Sequence, residues 1–140
     1  MSTAVYTEDE VRDIAFRLLN FSMYKNTKFG VGQITTFNQL GFKGVSDKPD
    51  GWYLPDDKTL PAIVLEAKSS ITILKQSHID ELLKNVRIVA TKYKKCIGIL
   101  YNFHEVKAFI DGVEISVQPD LQNKEYYIGL FNLLRKSPAS

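Results

Sequence analysis

The run Ala62-Ile63-Val64-Leu65 is apolar at every position and passes directly into Glu66-Ala67-Lys68. Strand side chains alternate between faces, so an unbroken apolar run marks a strand covered on both sides. Ile79, Leu82, Leu83, Val86, Val89 and Ala90 then recur at helical spacing within residues 73–93. Cys96-Ile-Gly-Ile-Leu-Tyr101 follows as a second buried strand. A strand, a crossover helix and a strand place the two strands side by side and parallel. The chain is therefore expected to be α/β, with a mixed sheet flanked by helices.

The flanking segments extend this frame. Thr7 and Glu10 form a capping box ahead of Val11, Ile14, Ala15, Leu18 and Leu19, which predicts a helix from about residue 8 to about 22. Residues 20–28 are polar and read as a loop, and Ile34-Thr-Thr-Phe37 suits a strand within 31–42. Gly51-Trp-Tyr-Leu54 and residues 60–68 flank the turn cluster Pro55-Asp-Asp-Lys-Thr59, which makes a hairpin. Asp111-Gly112 joins residues 106–110 and 113–117 as a second hairpin, and Tyr127, Leu130, Phe131 and Leu134 mark a third helix over 124–135. The expected order is α-β-β-β-α-β-β-β-α.

With 140 residues, 44% of them hydrophobic, the chain suits one domain over residues 1–136 with a short tail at 137–140. No apolar run nears the ~18 residues of a membrane span. The start of the chain lacks the basic and apolar regions of a signal peptide. Both point to a cytoplasmic protein with no membrane partner. The lone Cys96 excludes a disulfide framework within the chain and reads as a small buried hydrophobe. A net charge of +2 does not by itself mark a nucleic-acid binder; Lys84, Arg87, Lys92, Lys94 and Lys95 are either a phosphate-facing surface or a solvated helix face.

The chemistry concentrates at the end of the central strand. Glu66 and Lys68 share a face, and pairing about the Asp56-Asp57 turn brings Asp50 level with residues 64–66. Two carboxylates beside a lysine at a strand end suit a hard divalent cation, which prefers oxygen ligands and keeps several waters. Asp50, Glu66 and the backbone carbonyl of Ala67 would supply the protein's share. Lys68 would hold a water or stabilise charge on a phosphate. The bland alternative is a Pro-Asp-Gly turn beside a solvated strand end. Gly30-Val-Gly32 lacks the rest of a phosphate-cradling loop.

The stretch Asp47-Lys-Pro-Asp50 … Ile63-Val-Leu-Glu-Ala-Lys68 resembles the PD-(D/E)xK nuclease superfamily, most closely the N-terminal nuclease domains of restriction enzymes. These are the type I restriction subunit and type II enzymes that fuse nuclease to methyltransferase. The resemblance implies a restriction-endonuclease-like fold and Mg²⁺-dependent (or Mn²⁺-dependent) cleavage of double-stranded DNA. It implies metal ligation by Asp50 and Glu66 and a catalytic Lys68. Methyltransferase, helicase or specificity domains would lie in the same polypeptide or complex.

Many members add an acid from the first helix. Glu8 falls on its apolar side, about 60° from Val11 at 3.6 residues per turn, and Glu10 at its edge, where the capping box also explains it. Type I subunits carry a glutamine and, four residues on, a tyrosine; here Gln76 is followed by Asp80. Ser69, just past the motif, either touches phosphate or begins the turn into the helix. His78 and His104 are isolated and read as surface or loop residues. The rival readings are a stand-alone resolvase-like nuclease and a catalytically silent DNA-binding or assembly module of the same fold.

Overall fold

A computed structural model describes residues 5–19 and 26–115. Its elements run α1 (Glu8–Leu19), β1 (Thr27–Val31), β2 (Gly51–Pro55), β3 (Ala62–Ala67), α2 (Gln76–Val89), β4 (Cys96–Tyr101), β5 (Val106–Ile110) and β6 (Val113–Ile115). The six strands form one mixed sheet in the order β1-β2-β3-β4-β5-β6. Only β3 and β4 are parallel, with Ala62 opposite Cys96 and Ala67 opposite Tyr101. The other neighbours are antiparallel. The third helix expected at 124–135, the end of the strand expected at 113–117 and the tail lie outside the described residues.

The two faces of β3 explain its unbroken apolar run. Ile63, Leu65 and Ala67 join Ile97, Ile99 and Tyr101 of β4 beneath α1, against Val11, Ala15, Leu18 and Leu19. Ala62 and Val64 join Cys96 and Leu100 on the opposite face, against Leu82, Val86 and Val89 of α2. Each helix presents an apolar stripe to one side of the same strand pair. Cys96 is buried as expected, and burial pushes its thiol pKa up.

One glycine sets the height of α2 above the sheet. A Cβ on Gly98 would lie 2.8 Å from Val86 Cγ2 and 3.2 Å from Leu82 Cγ, so the helix is seated where a side chain would otherwise stand. In the turn between β5 and β6, Asp111 and Gly112 both take positive φ, 50° and 86°, as a two-residue hairpin of this hand requires.

The first strand differs from the sequence expectation. Residues 33–44 form turns, and β1 precedes them at Thr27–Val31, partly inside the segment read as a loop. Local side-chain bonds explain the difference. Thr36 N–H donates to Gln39 Oε1 and Gln39 N–H to Thr36 Oγ1, a reciprocal bond that competes with a strand ladder. Gly41 and Gly44, at φ of 102° and 86°, then turn the backbone so that Phe37 and Phe42 enter the α2-side core. Strand β1 takes its register from β2, with Thr27 opposite Pro55 and Val31 opposite Gly51.

Candidate active site

Pairing of β2 with β3 puts Gly51 opposite Leu65, so Asp50, the residue before β2, lies at the Glu66 end of β3. Both acids are enclosed, Asp50 at 0% and Glu66 at 1% exposure. Burying two carboxylates is costly unless each is paired or protonated, and the two are treated differently.

Asp50 is the paired one. Its Oδ2 accepts the Ala67 backbone N–H at 2.8 Å, and its Oδ1 accepts from Arg12 Nη2 at 3.0 Å. Arg12 comes from α1 and is itself only 6% exposed. It also meets Glu8 Oε2 at 3.3 Å and Asp9 Oδ1 at 2.5 Å. Burial works against the guanidinium charge, but Asp50 and the bonds to Asp9 and Asp50 more than offset it, so the Arg12 pKa is raised.

Glu66 has no such cation. Its Oε1 accepts from Asn85 Nδ2 at 2.9 Å, and its buried Oε2 meets no hydrogen-bond donor among the described residues. Burial first, and the negative charge of Asp50 second, raise its pKa well above the ordinary 4.5; the charge of Glu81 and a side-chain hydrogen bond with Asp50 add to this, and Lys68 opposes it. Lys68 leaves β3 two residues after Glu66. Its Nζ lies 3.7 Å from Glu81 Oε2 of α2, with 17% of the Lys68 side chain and 46% of the Glu81 side chain exposed. The cluster thus grades from a buried carboxylate pair to a partly solvated lysine–glutamate pair.

The structure brings Asp50, Glu66 and Lys68 to one end of the β2–β3 hairpin. The other sequence candidates fall elsewhere. Glu8 pairs with Arg12, and no group of three or more His, Cys, Asp or Glu side chains among the described residues is placed to hold a metal. Glu10 completes the capping box: Thr7 N–H donates to its Oε1 at 3.0 Å, and its own N–H to Thr7 Oγ1 at 3.2 Å. Gln76 opens α2 on an exposed face and donates to Asp80 Oδ1 at 2.9 Å. Ser69 Oγ shares a hydrogen bond with Thr72 Oγ1 in the turn after β3. His78 Nδ1 accepts the Lys75 N–H at the start of α2.

Arg12, Glu81 and Asn85 were not among the sequence candidates. A signal existed for two of them. Arg12 sits between Val11 and Ala15 on the buried stripe of α1, and Asn85 between Leu82 and Val86 on that of α2. A polar residue on an apolar stripe needs a buried partner.

Asp50 and Glu66 supply carboxylate oxygens of the kind a divalent cation takes. A Glu66 oxygen that meets no donor lies beside a second acid, in surroundings that disfavour the extra negative charge. Two carboxylates with several waters is the usual protein share for Mg²⁺.

No family model, curated protein or solved structure matches the chain. Among the described residues, no helix is long and apolar enough to cross a membrane.

Proposed function

We propose that the chain is a Mg²⁺-dependent DNA endonuclease domain of a restriction enzyme, acting in the cytoplasm with recognition supplied by other domains or partners. The observation that carries this reading is the meeting of Asp50 and Glu66 at one strand end, with one Glu66 oxygen meeting no donor and Lys68 two residues on. The resemblance of Pro49-Asp50 and Glu66-Ala67-Lys68 to the PD-(D/E)xK pattern gives the substrate class.

When bound, a divalent cation polarises a phosphate oxygen and acidifies a water molecule. The chain's own residues prepare for that. Arg12 and the Ala67 N–H fix the Asp50 carboxylate in place. Glu66 offers Oε2, and the Ala67 carbonyl is a further oxygen at the same strand end. Lys68 carries an ammonium group that stabilises charge growing on the phosphate, and Glu81 keeps that group near the strand end.

A second reading has its own observation. Asp50 already has a resident cation in Arg12, and both acids are enclosed, which favours a catalytically silent DNA-binding or assembly module of the same fold. Supercoiled plasmid incubated with the domain and Mg²⁺ or Mn²⁺ separates the two. The nuclease reading expects nicking that falls by about 10²-fold or more in Lys68→Ala and Asp50→Ala. Equal nicking by all three proteins would sink it, and no nicking by any leaves the silent module and a nuclease that needs its missing partner both standing.

A further inference from the structure

Asn85 is 3% exposed on a helix face otherwise made of Leu82, Val86 and Val89. Packing alone does not call for an amide there. Its Oδ1 is buried without a hydrogen-bond partner among the described residues, so the amide is poorly satisfied where it sits. What it does make is one bond, from Nδ2 to Glu66 Oε1 at 2.9 Å. A leucine would fill much the same space and orphan nothing on the helix. The gain from asparagine lies on the carboxylate it touches.

We propose that Asn85 is a positioning residue for Glu66, holding Oε1 so that Oε2 is the single oxygen offered to a divalent cation. Donors that orient a ligating carboxylate act on metal affinity through the ligand's geometry. The seating of α2 over Gly98 fixes how far the amide reaches, and the strand fixes Glu66. Glu81, four residues before Asn85 on the same helix, meets Lys68. One helix face therefore contacts both Glu66 and Lys68.

This inference rests on the metal-site reading, and its test keeps the two apart. Mn²⁺ alone is titrated into the full chain without DNA, with the electron paramagnetic resonance signal of free Mn²⁺ as readout. Wild type is compared with Glu66→Gln and Asn85→Leu, and thermal melting is followed in parallel. The expected result is binding by wild type, loss in Glu66→Gln, and about 10–100-fold weaker binding in Asn85→Leu that persists at temperatures where the variant is fully folded. A purely structural role would lower the melting temperature and leave Mn²⁺ affinity alone. Wild-type affinity in Asn85→Leu overturns the positioning role while leaving the metal site standing. Absence of binding by wild type overturns both.

Should Asn85→Leu fail to fold, the wild-type chain carries the test through the ¹⁵N side-chain amide resonances of Asn85. These must shift on addition of Mg²⁺ and saturate with it, and they must stay unmoved in Glu66→Gln. Resonances indifferent to Mg²⁺ in wild type overturn the proposal.

Discussion

Arg12 and Asp50 form the pair on which the buried cluster depends. Neither side chain meets much water, so each charge is tolerated because the other is present. Removing one partner of a buried pair strands the other, at about 3–5 kcal/mol. Arg12→Ala should therefore destabilise the fold by about that amount in urea denaturation. Asp50→Ala strands Arg12 less severely, because Asp9 and Glu8 remain on its guanidinium. The double variant should cost well under the sum of the two single changes, since it strands nothing. Strict additivity would show that the pair contributes no mutual interaction.

At the level of elements, the contact of α2 with the sheet governs what the helix can deliver. Gly98 lies directly against the helix, and a side chain there meets Val86 and Leu82. Gly98→Val should overpack this contact at about 1–3 kcal/mol and lift α2. The 2.9 Å bond from Asn85 to Glu66 is the first polar contact such a lift would lengthen. A lowered urea midpoint, with a displaced Asn85 side-chain amide resonance, is the expected outcome; an unchanged midpoint would show that the helix yields without cost.

The same elements mark how far the sequence could be read. Strands β2, β3 and β4 were visible because their apolar runs are set by burial on both faces. Asp50, Glu66 and Lys68 were visible because hairpin pairing and strand alternation are local rules. Strand β1, Thr-Lys-Phe-Gly-Val, was not: it is an edge strand of mixed burial whose place is decided by pairing with β2. The Thr36–Gln39 turn could have been read as a capping box, but the β-branched residues beside it point to a strand. Arg12 and Asn85 reach the cluster from helices on opposite faces of the sheet. That meeting is tertiary, and helical periodicity reports only that each residue faces inward.

For the whole molecule, the buried carboxyl of Glu66 links stability to pH. Its pKa is raised in the folded state above the ordinary 4.5. Below that value the group is protonated in both states and costs nothing. As pH rises past it, the unfolded chain releases the proton while the folded chain keeps it, so stability falls until the folded group also ionises. The slope from this one group is at most about 1.4 kcal/mol per pH unit. Without metal, wild type should lose stability from about pH 5 to pH 8, and Glu66→Gln should show a flatter profile. Parallel profiles would mean that Glu66 takes no part in the titration.

The hold of Arg12 on Asp50 has one more consequence. A divalent ion settling between Asp50 and Glu66 would draw on a carboxylate that also tethers α1, so the two cations are rivals for the same charge. Occupancy at the end of the sheet would then be felt as slackening at the other side of the core, where α1 is docked. The domain would trade grip on its first helix against affinity for the ion, with Arg12 setting the exchange rate.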